Sequence, residues 1–184
     1  SPEEIPWSFQ HQLDVGYAVG RLHFDTLEEY ARYAETVVAA ETGRISRPRR
    51  ITLFGTRHPG DQATQAMADY LVSPLASSLA SSYPVETILE GAATKERLAR
   101  LLGGDETPAL LFTALHGVGF SAEDPQQHAR QGALLCQDWS GPTGPIAPDA
   151  YFAGDDVTDA ARPAGLVAFF YACHGLGTPR LDSF

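Results

Sequence analysis

Two long apolar runs close in the same way, and they constrain the fold more than any other feature of the chain. Ala109-Leu-Leu-Phe-Thr-Ala-Leu leads into His116-Gly117, and Gly165-Leu-Val-Ala-Phe-Phe-Tyr-Ala leads into Cys173-His174-Gly175. A near-continuous apolar run of this length, closed by glycine, reads as a strand of a parallel sheet buried on both faces. In open α/β sheets ligands bind outside the carboxyl ends of the strands. One run delivers an imidazole to that edge and the other a thiol. These are the two groups that a cysteine nucleophile and its general base require.

The rest of the chain supplies alternating strands and helices. Residues 13–24 read as an extended segment, followed by a helix capped at Asp25-Thr26 with Glu28 and Glu29 in its first turn and Gly43 at its end. A basic loop from Arg44 to Arg50 leads into a short buried strand, Ile51 to Gly55. Asp61 reads as the cap of a helix that reaches Ser73, where Pro74 is expected to break or kink it. A strand from Pro84 to Leu89 and a helix from Thr94 to Leu102 come next, then the histidine strand. Residues 132–139 are strand-like, 141–148 form a Gly/Pro-rich loop, and 155–161 suggest a turn of helix before the cysteine strand. This alternation calls for right-handed crossovers. The fold expected is α/β, a mostly parallel doubly wound sheet flanked by helices in a three-layer sandwich. At 184 residues the chain fits one domain, with 1–43 as a leading strand and helix and 44–184 as the α/β core.

Composition narrows the partners. A net charge of −10 argues against nucleic acid and against an anionic membrane surface, and no apolar run is long enough to span a bilayer. Two cysteines make no disulfide framework, which favours a reducing compartment and a cytoplasmic location. The opening Ser-Pro-Glu-Glu, without Met or a signal sequence, reads as the start of a processed or excised piece.

The order of elements resembles the caspase–gingipain class of cysteine peptidases, and within it the gingipain family. The carriers are His116-Gly117 after Leu-Phe-Thr-Ala-Leu, Ala172-Cys173 after Val-Ala-Phe-Phe-Tyr, and the segment Tyr17-Ala-Val-Gly-Arg-Leu-His-Phe-Asp-Thr-Leu-Glu-Glu-Tyr30. That segment is similar to the Val-Gly-Arg strand and Glu-containing helix that precede the catalytic half of gingipain-like peptidases. The resemblance spans about Val15 to Gly177. It implies a caspase-like sheet in which the histidine and cysteine strands lie side by side, so that residues 57 apart meet. It further implies Cys173 as nucleophile, His116 as base or proton donor, and the Gly117 and Cys173 amides as the oxyanion hole. The activity implied is a cysteine endopeptidase acting on peptide or protein substrates through an acyl-enzyme, with no metal and no organic cofactor. Elementary chemistry points the same way. A thiolate forms easily beside an imidazolium, and glycine after the histidine lets the main chain approach a scissile carbonyl.

The acidic and aromatic neighbours are candidates for the substrate pocket. Asp61 follows the first core strand, and Asp138 and Trp139 end the stretch after the histidine loop. His174 belongs to the rim. A carboxylate among these would favour Arg or Lys before the cleaved bond. Cys136, inside Ala-Leu-Leu-Cys, reads as core, and Asp155-Asp156 as a turn. Two other readings compete. Cys173 to Arg180 resembles the phosphate loop of cysteine phosphatases, but the spacing is one residue too long and Pro179 removes a donor. An inactive caspase-like module serving as a binding or assembly platform is the alternative function. Family members continue into further strands after the nucleophile, whereas 11 residues follow Cys173 here. A further segment, a cleaved second chain or a partner is therefore expected to complete the sheet.

Overall fold

In the computed structural model, residues 4–121 and 123–175 are described. Four parallel strands form the central sheet: β1 (Ile51–Gly55), β2 (Val85–Leu89), β3 (Leu110–Ala114) and β7 (Val167–Tyr171). Their order across the sheet is β2-β1-β3-β7, so the histidine strand and the cysteine strand are hydrogen-bonded neighbours. Three short strands, β4 (Gly117–Val118), β5 (Ala133–Leu135) and β6 (Tyr151–Phe152), form a second, antiparallel sheet in that order. The helices are α1 (Trp7–Asp14), α2 (Leu27–Glu41), α3 (Gln62–Met67), α4 (Ser73–Leu79), α5 (Lys95–Leu101) and α6 (Gln127–Arg130).

The strand period of two divides the sheet's side chains between two helical layers. Leu53 and Ala114 pack with Val72, Leu71 and Leu75 from the α3–α4 side. Phe54, Ile88 and Leu111 pack on the opposite face against Leu98 and Leu101 of α5, and Leu134, Cys136 and Phe152 of the small sheet extend that core. The fold is therefore α/β, with a parallel four-stranded sheet between helices. None of the described helices is long and apolar enough to cross a membrane.

Local signals account for the helix starts. Thr26 accepts from the Glu29 amide while the Glu29 carboxylate accepts from Thr26 N–H, a reciprocal capping box. Thr94 caps α5 through the Arg97 amide, and Asp61 caps α3 through the Ala63 amide at 3.0 Å. Pro74 does not break the path expected to end at Ser73. A π turn over Ala68–Val72 joins α3 to α4, with both the Ser73 amide and its hydroxyl reaching back to Ala68 O. The wider turn accommodates a residue that has no N–H to donate.

Two expectations fail at the ends of the chain. Residues 13–24 form no strand: Leu13 and Asp14 close α1, and the segment beyond is tied to that helix by Arg21, which donates to Gln10 Oε1 and to Ile5 O. An extended stretch needs a neighbour for its backbone groups to become a strand, and none of the described strands pairs with it. The α2 helix forms as its pattern predicts, yet none of its residues is buried. The cysteine strand is the second case. It was expected to be buried on both faces, but β7 lies at the sheet edge with all five residues exposed. Val167 is 63% exposed and Phe169 57%, although the Phe169 ring stacks on Phe112 at 5.4 Å and 3°. The apolar run encodes a strand suited to cover on both faces; the described residues supply a neighbour on one edge alone.

Burial sets an expected difference in stability. Leu98 is fully buried among core residues, so Leu98→Ala should cost about 2–5 kcal/mol in urea unfolding. Phe169→Ala should cost clearly less despite removing more atoms. A larger loss for Phe169 would place the main core elsewhere.

Candidate active site

The β3–β7 register pairs Ala114 with Tyr171, and Leu115 N–H continues the ladder to Tyr171 O at 3.2 Å. Carrying that register on by two residues sets His116 beside Cys173. Both residues therefore leave the same carboxyl edge of the sheet from adjacent strands. After His116 the chain turns into β4, whose pairing with β5 fixes the histidine backbone from the other side through Leu135 N–H to His116 O at 2.9 Å.

His116 meets Asp61, which arrives from the loop after β1. The two side chains are 2.6 Å apart between Nε2 and Oδ2. An ionised carboxylate only accepts, so Nε2 carries the hydrogen and Nδ1 is the ring atom left for proton exchange. Asp61 is buried, which opposes its charge. Hydrogen bonds from His116, Thr64 and the Ala63 amide, with the attraction of His116, outweigh burial and hold its pKa below the ordinary carboxylate value. Both oxygens of Asp61 are thus engaged, Oδ2 with the imidazole and Oδ1 with the start of α3. The same aspartate that the sequence offers as helix cap and pocket residue is the partner of the histidine.

Cys173 is a free, exposed cysteine. Its backbone lies so close to Gly117 that a Cβ on that glycine would collide with the Cys173 carbonyl. The two residues named for the oxyanion hole are therefore in main-chain contact. His174 follows with φ of 57°, a left-handed conformation that non-glycine residues rarely adopt. Its imidazole lies over Gly119, where a Cβ would come within 2.9 Å of Nε2, and its carbonyl lies over Gly132. Glycines 117, 119 and 132 thus form the floor on which the Cys173–Gly175 turn rests. Cys136 is the opposite kind of cysteine: buried in the core, with its thiol pushed up to about 12 chiefly by burial.

The remaining candidates are placed as follows. Asp138 accepts from the Lys95 amide at 2.7 Å and so serves the first turn of α5. Trp139 faces the site, its ring centre 6.3 Å from that of His116, edge to face, and its Nε1 donates to Gly144 O. Asp155 pairs with Arg130 and Asp156 with Lys95, so the turn aspartates are ion-paired across loops. The residues of the phosphate-loop reading from Leu176 to Arg180 lie outside the described residues. One site residue escaped the sequence reading. His58, buried on the same loop as Asp61, packs its ring against Trp139 with ring centres 5.0 Å apart. A lone histidine before Pro-Gly carries no pattern that would have marked it. Among the described residues no group of three or more His, Cys, Asp or Glu is arranged to hold a metal ion. Comparison with known protein families, with curated proteins and with solved structures gives no match.

The Asp61 contact makes a pH prediction. Its folded pKa is below its ordinary value, so the stability it contributes is present at neutral pH and is lost as pH falls through the folded value. Thermal melts of the wild type should therefore drop more steeply than those of Asp61→Asn between about pH 5 and pH 2. Parallel curves would show that the contact contributes nothing to folding.

Proposed function

We propose that the chain is a cysteine endopeptidase of the caspase–gingipain kind, in which Cys173, His116 and Asp61 act in series. The observation that carries this reading is the joint geometry of β3, β7 and the Asp61 loop. A thiol and an imidazole leave neighbouring parallel strands, and a carboxylate holds the far nitrogen of that imidazole. The third member orients the ring through Nε2 and leaves Nδ1 for proton exchange.

The chemistry then follows from the residues. Cys173 thiolate attacks the carbonyl carbon of a peptide bond, and the carbonyl π pair moves onto oxygen. Backbone N–H groups at Gly117 and Cys173 stabilise that oxyanion, each such donor being worth about 10²–10³ in rate. His116 gives its Nδ1 proton to the leaving amine, the C–N bond breaks, and a thioester remains. Water then attacks the thioester as His116 takes its proton, releasing the acid and the thiolate. No step requires a cofactor. The exposed apolar edge at β7 supports the companion proposal that a further chain segment or partner completes the sheet beside the cleft.

Peptide libraries with a fluorescent leaving group test the reading. Cys173→Ala should reduce turnover to background and His116→Ala should reduce it by roughly 10²–10⁴-fold, with circular dichroism unchanged. Wild-type rates in either variant would end the proposal.

A further inference from the structure

We propose that Trp139 and His58 are positioning residues for His116: the Trp139 indole is the aromatic wall of the His116 ring, and the buried His58 imidazole props the indole in place. This deepens the peptidase reading and rests on it.

The Trp139 ring contacts two imidazoles, those of His58 and His116. The His58 and Trp139 ring centres are 5.0 Å apart at 69°, and those of Trp139 and His116 are 6.3 Å apart at 83°. The indole is fixed independently of both imidazoles, by Nε1–H to Gly144 O at 3.2 Å and by its own amide to Cys136 O. His58 is more constrained still, being 1% exposed. Its amide donates to Thr64 Oγ1, and its carbonyl accepts from the Asp61 amide and from Gln65 Nε2. Its ring Nε2 lies 3.2 Å from Cys136 O. A carbonyl only accepts, so this nitrogen carries the hydrogen. The other ring nitrogen is buried with no hydrogen-bond partner.

The two histidines therefore stand in opposite environments. His116 is partly open to solvent and joined to a carboxylate. His58 is enclosed; burial above all, together with the nearby His116, holds its pKa below the ordinary value, against the pull of the Cys136 carbonyl and Asp61. The titratable groups that face His58 are Asp61 from the start of α3 and His116 from the end of β3, while the Cys136 thiol remains neutral. His58 is thereby kept neutral and structural, while His116 is the imidazole joined to the carboxylate. The packing also limits rotation of the His116 ring, which keeps Nε2 on Asp61 and leaves Nδ1 for the thiol.

Alkylation of Cys173 by iodoacetamide, followed against pH on the 184-residue chain, reads this arrangement without relying on peptide turnover. Cys136 is buried and stays silent. Alkylation of the wild type should be faster than that of His116→Ala, and the two pH profiles should differ. Trp139→Leu, which keeps an apolar side chain but not the ring contact with His116, should slow alkylation at pH 6 roughly tenfold by loosening the ring's orientation, and Trp139→Phe should restore most of the rate. His58→Ala should lower the rate in the same direction if it melts as a folded protein; if it does not, the Trp139 pair decides. Equal rates for wild type and Trp139→Leu, or for the Leu and Phe variants, would overturn the proposal while leaving the Cys173–His116 pair intact. An unchanged profile in His116→Ala would instead remove the pair, and the positioning role with it.

Discussion

The parallel pairing of β3 with β7 is the constraint on which the rest of the site depends. Leu110 to Ala114 run in register with Val167 to Tyr171, and a one-residue slip would send every side chain to the opposite face. His116 and Cys173 lie two residues beyond the last pair, so the sheet itself fixes their spacing. The chain between these strands is not idle connection. It forms the small antiparallel sheet, supplies the core residues Leu134 and Phe152, and brings Trp139 back over the histidine. Closing so long a loop costs conformational entropy, which the packing of the small sheet against α5 helps to offset.

Asp61 couples local and tertiary structure in one side chain. One oxygen satisfies an amide at the start of α3 and the other holds His116. The loop that carries it is tied down by side chains from several elements. Thr64 and Gln65 hold the His58 backbone, and Gln137 both accepts from the Arg57 amide and donates to the Arg57 carbonyl. A carboxylate placed by this many contacts keeps its imidazole partner within a narrow range of orientations, which is what proton transfer in a fixed geometry needs.

Where the sequence carried physical periodicity, the structure was legible in it. The strand at Ile51–Gly55 and the helix capped by Thr94 follow from apolar runs and caps, while the adjacency of the two strands ending in His116 and Cys173 was expected from the family resemblance. The small sheet was largely hidden because strands of two or three residues hold no repeat to recognise. The His58–Trp139 contact was hidden for another reason: no local rule joins residues so far apart, and neither residue is unusual in its own segment. Asp138 was a pocket candidate because it ends the stretch after the histidine loop; its carboxylate is hydrogen-bonded at the first turn of α5. Exposure of β7 could not be read at all, since an apolar run encodes what a strand can be packed against and not what is present to pack there.

That exposure bears directly on the chemistry. Regions with few buried apolar contacts open at lower free energy than the core, and β7 holds its place by its ladder to β3 and by contacts such as the Phe112–Phe169 stack. Asp61, by contrast, is buried, and its partner His116 follows β3, a strand with buried residues. Cys173 thus follows a strand whose residues are all exposed, and His116 a strand with buried ones. Opening of β7 alone would move Cys173 away from the end of β3 while leaving the His116–Asp61 pair assembled. Any surface that covers β7 and its exposed aromatic residues would steady Cys173 beside His116, because it would act on the strand that places Cys173.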